Sequence, residues 1–399
     1  MGKSETVSSH KKRLKILFVT PWYPSREAPA GMFVQELARA AQLHNDVIVL
    51  HHAGKRRDLP GIWYIEQEHD QSLTKGIPLY RFWYRESPVP ETSFMLFGMW
   101  SLLQAFRYLV KQGHQPHIIH VHVYAFGALA VLLGKIYGLP VVITEHSTAF
   151  PRGFLNLRQK LLAQFAFGWA GLVLPVSEAL RKAIEDNGIK GRFRVVPNVV
   201  DTDIFYPHQS IASDGKSKQI LFVGFLDKFH RKGIPNLLEA LGQIYHRRND
   251  WHLDIVGDGP ARSEYEQLVS SLGLTGNVTF YGNRYKQEVA EFMSHCDFFV
   301  LPSMFETFSV VLIEALASGK PVIATSSGGP EEFVTKEVGI LIPPKDSATL
   351  EAAIDYMLDH YHSYSAAQLA GYVQQRFSYD AVGLMLDDIY HNLNSSKGK

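Results

Sequence analysis

The feature that most constrains the fold of this chain is an alternation of short apolar runs with longer helical stretches. The first half contains runs rich in valine and isoleucine at residues 15–20, 46–51, 117–121, 141–145, 172–176 and 194–197. Stretches of helical character separate them, for example at residues 32–43, 94–112 and 155–168. Short buried strands that alternate with helices are joined by right-handed crossovers, so this half predicts a parallel sheet covered by helices.

A second series of the same kind begins near residue 219. Its strands are predicted at residues 219–224, 252–257, 278–282, 298–302, 321–325 and 339–343. Its helices are predicted at residues 235–246, 261–272, 286–294, 310–318 and 348–358. Two such series predict an α/β protein of two doubly wound, Rossmann-like domains that face each other across a cleft. Because such sheets bind ligands beyond the carboxyl ends of their strands, we expect the functional site in that cleft.

The segment between the two series predicts a linker. It contains Pro207 and a polar run at residues 213–218, a composition typical of loops and hinges. The chain is therefore expected to have four parts. These are a disordered tail at residues 1–13, a first domain at 14–200, a second domain at 201–375, and a C-terminal helix at 376–399 that packs back on the first domain.

Charge is divided unevenly between the two halves. Residues 1–200 hold 24 Lys and Arg against 14 Asp and Glu, a net charge of +10, whereas the rest of the chain carries −9. A basic half fits either an anionic partner, such as the inner face of a membrane, or simply two domains with unlike surfaces. The single cysteine, Cys296, excludes an intramolecular disulfide and a zinc-thiolate cluster. We expect a cytoplasmic protein, because the chain has neither a run of about 18 apolar residues nor the apolar region of a signal peptide.

The sharpest motif follows the predicted strand at 298–302 and contains two glutamates, Glu306 and Glu314. Glu306 falls in the loop above the strand end, and Thr307 or Ser309 is positioned to cap the helix that follows. Glu314 lies inside that apolar helix, where a carboxylate needs strong hydrogen-bond donors such as a vicinal ribose diol. The free N–H groups at the helix start suit a diphosphate. The alternative is an acidic helix start with a second glutamate by chance.

A cationic loop follows the first strand of the second half. It contains Gly224 and three cations within five positions, Lys228, Arg231 and Lys232. Transfer of a sugar from a nucleotide leaves a doubly charged diphosphate, which Lys and Arg neutralise as the charge develops. An exposed basic loop is the alternative, since charge runs are commonly solvated. Gly257, after the next predicted strand, permits close approach of a ligand.

Polar side chains in the first half lie at the ends of predicted strands. His120 and His122 close one strand, and Glu145 with His146 closes the next. Because strand ends border the cleft, these His and Glu residues are expected at the same site. Gly31 lies in a Pro/Gly loop between the first predicted strand and the first predicted helix. Two close histidines raise the question of a metal, but no convergent third ligand is evident, so no metal is expected.

Together these motifs resemble the retaining glycosyltransferases of family 4, the group 1 glycosyltransferases, which have the GT-B fold. The resemblance runs from about residue 15 to about residue 390. The matching pieces occur in the family's order, at residues 195–201, 224–233, 256–260, 306–314, 319–324 and 328–329. Three positions depart from the family pattern: Phe225 replaces an arginine that helps to bind diphosphate, and Val199 and Ser309 each replace a glycine.

The resemblance implies a role for each candidate residue. The catalytic residues would be Glu306, Lys232 and His122. The donor site would be formed by Glu314, Arg231, Lys228, Gly224, Gly257, Ser309, Val310 and Val311. The acceptor side would include Gly31, Glu145 and His146. The family resemblance implies no metal and no cofactor, since the nucleotide sugar is itself the substrate.

The implied function is retaining transfer of a hexosyl unit from a UDP- or GDP-sugar to a hydroxyl of a glycan or lipid-linked acceptor, in cell-surface polysaccharide or glycolipid synthesis. The first domain would bind the acceptor and the second the donor, and no nucleic acid partner is expected. The alternatives are a non-catalytic sugar-nucleotide-binding protein and another GT-B enzyme, such as a phosphorylase or an epimerase. The apolar stretch at 94–100, with Arg152, Arg158 and Lys160 further on, indicates either peripheral membrane contact or a core helix.

Overall fold

The computed structural model describes residues 12–25, 31–56, 58–59, 61–85, 94–208 and 217–396. Within these residues the chain forms two mainly parallel sheets covered by helices, one in each half. The two doubly wound α/β units expected from the double alternation are therefore confirmed. Residues 213–216 of the predicted linker lie outside the described residues.

The first half forms a seven-stranded sheet. Its strands are β1 (Lys15–Thr20), β2 (Asp46–Arg56), β3 (Trp63–Glu68), β4 (Leu79–Arg85), β5 (Ile118–His122), β6 (Val141–Glu145) and β7 (Leu172–Pro175). Its helices are α1 (Met32–Gln42), α2 (Gln71–Thr74), α3 (Phe94–Lys111), α4 (Tyr124–Tyr137), α5 (Leu157–Trp169) and α6 (Glu178–Asp186). The strand order is β3-β4-β2-β1-β5-β6-β7, with β3 antiparallel to β4. The winding direction reverses between β1 and β5, so a switch point lies at their carboxyl ends.

The second half forms a six-stranded parallel sheet. Its strands are β8 (Lys218–Val223), β9 (Trp251–Val256), β10 (Val278–Gly282), β11 (Phe298–Leu301), β12 (Val322–Thr325) and β13 (Gly339–Ile342). Its helices are α7 (Ile234–Tyr245), α8 (Arg262–Ser271), α9 (Lys286–His295), α10 (Val310–Ala317) and α11 (Ser347–His360), followed by α12 (Ala366–Phe377) and α13 (Tyr379–Ser395). The order β10-β9-β8-β11-β12-β13 puts this switch point between β8 and β11.

Three features of the first half differ from the sequence predictions. The predicted strand at 194–197 is not a strand of the sheet, although the N–H groups of Arg194 and Val196 donate to β7 carbonyls. Pro175 of β7 has no N–H to donate to the Arg194 carbonyl, so the ladder is interrupted there. The prediction also missed β3 and β4, which are aromatic and charged rather than rich in valine and isoleucine. Finally, Arg13 does not belong to a free tail, because its guanidinium donates to the Asp46 carboxylate at 2.9 Å.

Helix α3 contains the apolar stretch for which membrane contact and core packing were both considered. Leu102, Ala105, Phe106 and Leu109 are buried in the core at helical spacing, so this part of α3 is a core helix. The side chains of residues 94–97 lie outside the described part of the chain. Among the described helices, none combines the length and the apolar character needed to cross a bilayer.

The last helix returns to the first sheet. Val382, Leu386, Ile389 and Tyr390 of α13 are buried in one cluster with residues of α1 and β1. The chain therefore crosses between its halves twice, once before β8 and once before α13.

Candidate active site

Two loops meet at the switch point of the second sheet. The loop after β8 carries Lys232 and the loop after β11 carries Glu306, and the two strands are parallel neighbours. The Lys232 Nζ donates to Glu306 Oε1 at 2.6 Å. The side chains are 29% and 10% exposed, respectively, so the ion pair lies at the accessible edge of the sheet rather than inside the core.

Close backbone contact fixes the position of Lys232. The next residue, Gly233, has φ of 70°, and a Cβ atom there would lie 2.0 Å from the Pro302 carbonyl oxygen. Only glycine allows this approach. Beside it, the Met304 N–H donates to the Arg231 carbonyl at 2.7 Å. The lysine loop is therefore held directly against the loop that carries the glutamate.

A third loop, after β12, supports Glu306 from its other side. The Glu306 N–H donates to the Ser327 carbonyl at 3.0 Å, and the Gly329 N–H donates to the Glu306 carbonyl at 3.0 Å. A Cβ on Gly329 would lie 2.4 Å from Phe308 Cα, which explains a glycine at this position. Because the N–H and the carbonyl of Glu306 are both hydrogen-bonded, its backbone is held in place and the position of its side chain is restricted.

Helix α10 begins without a side-chain cap, so the expected cap from Thr307 or Ser309 is wrong. Ser309 adopts φ of 80°, in the left-handed region, and its side chain makes no capping hydrogen bond. The Ser309 Oγ is buried and has no partner among the described residues. The first N–H groups of the helix, including those of Val310 and Val311, have no intrahelical acceptor and are open to an external anion.

The other cations and glycines of this edge have different surroundings. Arg231 Nε donates to the buried Asp227 carboxylate at 2.9 Å, so this arginine is tied to its own loop. Lys228 is exposed and has no hydrogen-bond partner within the described chain. Gly224 and Gly257 pack backbone to backbone, since a Cβ on Gly257 would lie 1.9 Å from the Gly224 carbonyl oxygen. Of Arg231 and Lys228, only Lys228 is without a partner in the described chain and available to a ligand.

Glu314 lies further along α10, close to the boundary between the two halves. Burial raises the pKa of Glu314 to about 7, with the positive charge of Lys286 opposing this shift and the negative charge of Glu36 adding to it. Glu36 belongs to α1 and Lys286 begins α9, and their charged atoms are 2.8 Å apart. The carboxylate expected to bind a ribose is therefore near an ion pair that joins the two halves.

That ion pair is part of a buried cluster of charged and hydroxyl groups. Arg39 donates to the Asp201 carboxylate at 2.6 Å, and Lys286 lies 3.9 Å from the same carboxylate. The Tyr379 hydroxyl hydrogen-bonds to Glu36 and Arg39. These residues come from four distant parts of the sequence, and only Asp201 stands in a local motif, the segment at 195–201. The contacts among them were therefore not predicted.

The first sheet brings three histidines together near its own switch point. The rings of His120 and His122, both on β5, are stacked 5.1 Å apart. His122 Nδ1 lies 3.2 Å from His146 Nε2, at the end of β6. Burial lowers the pKa of His120 and of His146 to about 3, and that of His122 well below its usual range. All three rings are therefore neutral at pH 7, and His122 Nε2 has no hydrogen-bond partner among the described residues.

Two neighbours of His122 are fully engaged by protein groups. His120 has the Tyr390 hydroxyl 2.6 Å from Nδ1 and the Thr144 hydroxyl 2.6 Å from Nε2. The buried Glu145 carboxylate accepts the backbone N–H groups of Tyr124, His146 and Ser147. Burial raises the pKa of Glu145 to about 7 against these donors. Glu145 therefore positions the loops around His122, whereas His122 itself has a ring nitrogen to offer.

Backbone strain marks the same place. Val123 directly follows His122 and has φ of 64° and ψ of 148°, a conformation that β-branched residues avoid. Nothing in the sequence signals this strain, because valine ordinarily indicates a strand.

Gly31 lies at the start of α1, in the loop that follows β1. It has φ of 86°, and a Cβ there would lie 2.5 Å from the Trp22 carbonyl carbon. Here glycine is required by both space and conformation.

The two edges offer complementary chemistry. The second sheet supplies two lysines and an open helix start suited to a negatively charged group, and the Glu306 carboxylate, which is suited to hydroxyl donors. The first supplies a neutral, buried histidine suited to a hydroxyl. Within the described residues, no group of three His, Cys, Asp or Glu side chains is arranged to hold a metal ion.

Two family models match consecutive parts of the chain. The model described as Glycosyltransferase Family 4 matches residues 30–204, and the model described as Glycosyl transferases group 1 matches residues 206–374. The first covers the sheet with the histidines, and the second covers the sheet with Lys232 and Glu306.

Individual proteins agree with the models. An uncharacterized glycosyltransferase of Methanocaldococcus jannaschii is 26% identical over 328 residues, which cover 77% of this chain and 83% of that protein. The solved sucrose-phosphate synthase of Thermosynechococcus elongatus superposes with a TM-score of 0.76 at 24% identity, over 96% of this chain and 100% of that one. HepE of Anabaena, solved in complex with UDP, gives 0.73 at 20% identity, over 95% and 100%.

Proposed function

Because the chain belongs to the group 1, family 4 glycosyltransferases and has their GT-B fold, we propose that it transfers a hexosyl unit from a nucleotide diphosphate sugar to an acceptor hydroxyl with retention of configuration. The acceptor is proposed to be a glycan or a lipid-linked sugar in cell-surface polysaccharide or glycolipid synthesis. A peripheral position at the inner face of the membrane fits that acceptor. No metal and no cofactor takes part in the proposal.

One observation carries the proposal: the contact between Lys232 and Glu306 beside the uncapped start of α10. In a nucleotide sugar, the anomeric carbon of the hexose is bonded directly to an oxygen of the diphosphate. The lysine and the helix N–H groups suit the diphosphate, and Glu306 suits the hydroxyls of the sugar. A single ligand of this kind would use the lysine, the carboxylate and the helix N–H groups together.

The proposed step needs no protein nucleophile. The acceptor oxygen forms a bond to the anomeric carbon while the bond from that carbon to the diphosphate oxygen breaks. Both events occur on one face of the sugar, and the acceptor proton passes to the departing phosphate oxygen. Lys232, Lys228 and the helix start stabilise the charge that develops on the leaving diphosphate. His122 Nε2 is the group proposed to hydrogen-bond to a hydroxyl of the transferred sugar from the opposite domain.

Uridine is the first nucleoside to test in the donor, because HepE, which has the same fold, was solved with UDP. The full chain is screened by thermal denaturation against UDP-glucose, GDP-mannose and ADP-glucose. A ligand that binds only the folded protein stabilises it by about 2.7 kcal/mol at a hundred times its Kd. We expect one nucleotide class to raise the Tm and the matching nucleotide sugar to be slowly hydrolysed without acceptor. Failure of all three donors to bind, or binding with no turnover under any condition, would refute the proposal.

A further inference from the structure

Helices α4 and α5 expose an unusually apolar surface. Large hydrophobic side chains point to solvent along both helices and the loop before α5, and we call this surface the α4–α5 face: Leu132, Ile136, Phe154, Leu157, Leu161 and Trp169. Leu157 is 73% exposed, Phe154 64% and Leu161 62%. Single exposed leucines are ordinary, but six large apolar side chains exposed on two helices that pack together and on the adjoining loop indicate an interaction surface.

Helix α5 is apolar on both of its sides. Ala163, Ala166 and Phe167 face the core, whereas Leu157 and Leu161 lie one turn apart on the opposite side. The two leucines form a short apolar stripe on the outer side, beside the cations Arg158 and Lys160 of the same helix. Within the described chain, nothing covers Leu157 and Leu161, so this side of α5 is available to a partner outside the chain.

The α4–α5 face is also purely basic. Lys135, Arg152, Arg158 and Lys160 lie on it, and residues 146–177 contain no aspartate or glutamate. Lys135 Nζ lies 4.6 Å from the Trp169 ring centroid and the Arg152 guanidinium 4.1 Å from that of Phe154. No ion pair with a carboxylate involves these cations in the part of the chain that the structure describes. Their charge is therefore available to an anionic partner.

From this combination we infer that the α4–α5 face docks on an anionic lipid bilayer. Leucine, phenylalanine and tryptophan beside uncompensated cations are the composition that enters the headgroup region of such membranes. A second copy of the chain is disfavoured, because pairing two such faces would bring eight cations together without a counter-charge. The partner is thus identified by its chemistry: a wide negative surface over an apolar layer.

The inference rests on the proposed function and deepens it. The loop at 146–156 runs directly from His146, beside His122, to the first turn of α5. A membrane held against the α4–α5 face would therefore border the edge assigned to the acceptor. The acceptor class that this geometry favours is a sugar hydroxyl on a lipid anchored in the same bilayer.

Vesicle sedimentation tests the inference without any need for the acceptor. The full chain is mixed with vesicles of phosphatidylcholine alone or of phosphatidylcholine with phosphatidylglycerol, at low and high salt. We expect binding to the anionic vesicles that weakens as salt screens the charges. Leu161→Glu should reduce the binding at least tenfold, because burial of a leucine side chain is lost and a like charge is added. Arg158→Glu should reduce it about fivefold or more.

Matched controls separate this result from general effects of the substitutions. Leu384→Glu changes a leucine on α13 that is 57% exposed, close to the 62% of Leu161, but outside the face. Lys336→Glu changes an exposed lysine of the second half. Both should bind vesicles as the unchanged protein does. Nucleotide-sugar binding, measured by thermal shift, should be unchanged in all four variants.

Three results would overturn the inference while donor binding stays intact: no sedimentation with anionic vesicles, equal losses in Leu161→Glu and Leu384→Glu, or a dimer in gel filtration that Leu161→Glu dissociates. The last would assign the face to a second copy of the chain. Loss of donor binding in the unchanged protein would instead refute the proposed function, so the two failures are distinguishable.

Discussion

The two strand-end edges that form the candidate site both lie at the switch point of a parallel sheet, but one presents charged side chains and the other neutral ones. At the edge of the second sheet, Lys232 and Glu306 are charged, paired and partly exposed. At the edge of the first sheet, His122 and His146 are hydrogen-bonded to each other and neutral, because burial lowers the pKa of both rings. Two similar folds have thus been given two different kinds of polar group.

The difference matches what each edge would have to recognise. A leaving diphosphate is anionic before and after transfer, so fixed positive charge and helix N–H groups stabilise it. The hydroxyl groups that would face the first sheet are neutral, and a charge beside them without a partner such as Lys232 provides for Glu306 would need its own solvation inside a closed cleft. A neutral histidine can hydrogen-bond to a hydroxyl without that cost. Each edge is therefore matched to the charge of its part of the substrate.

Removal of charge from the second edge should have the largest effect. We expect Lys232→Ala to lower kcat by about 10²-fold or more, since the lysine stabilises charge that appears as the diphosphate leaves. Initial rates of nucleotide release, with the nucleotide sugar that the thermal-denaturation screen selects, measure this. Thermal denaturation checks that the variant is folded, because Glu306 loses its ion-pair partner.

Lys228→Ala provides the matched control, since this lysine belongs to the same loop but is exposed. Its kcat should fall by only a few-fold. Equal losses in the two variants would mean that the loop supplies general positive potential, and that the Lys232–Glu306 contact has no special role. The two edges would then differ in net charge alone.

The pH dependence of donor binding should separate the two edges next. Because burial raises the pKa of Glu314 to about 7, its carboxylate becomes protonated as the pH falls through that value. If the ionised form accepts the ribose diol, the donor Kd should rise by up to about tenfold per pH unit below 7. The histidines should contribute nothing between pH 6 and pH 8, since burial lowers the pKa of His120 and His146 to about 3. Titration of donor binding by calorimetry measures the step.

Two variants assign that step to a residue. Glu314→Gln should bind the donor more weakly at pH 8 and show no step below pH 7. Glu145→Gln should keep the step, although burial also raises the pKa of Glu145 to about 7, because this carboxylate accepts only backbone N–H groups of the first sheet. A step that survives in Glu314→Gln would place the titrating group elsewhere.

The fold was predictable from the sequence because buried parallel strands leave a direct signal. β1, β6 and β11 are short apolar runs, and each was expected within one residue of its observed bounds. The edge strand β3 was missed, since its outer position lets it carry Glu66 and Glu68 and hides it from a search for apolar runs. The inner strand β4 was missed although its first four residues are buried, because Arg81 and Arg85 interrupt its apolar run. Prediction therefore depended on uninterrupted apolar runs as well as on burial.

The candidate site was only partly predictable. Lys232 and Glu306 each stand in a local pattern after a strand, and parallel neighbouring strands bring such patterns together. Glu36 and Lys286 could not be foreseen, because their contact depends on how the two halves meet and not on local sequence. The strained backbone of Val123 and Ser309 left no trace either, since neither residue type favours a positive φ.

The smallest effect on kcat should come from substitution of Ser309. It tests whether the start of α10 acts through its backbone N–H groups, in contrast to the first edge, where the His122 side chain acts. Glycine adopts φ of 80° freely, and Ser309→Gly also removes a buried hydroxyl with no partner among the described residues. We expect about 1 kcal/mol of added stability, or a Tm increase of about 2–4 °C, with kcat within about twofold. Ser309→Ala, which removes the hydroxyl but keeps the strain, should gain less. If Ser309→Gly instead lost tenfold in kcat without losing stability, the hydroxyl would contact the donor, and the helix start would act through a side chain as His122 does.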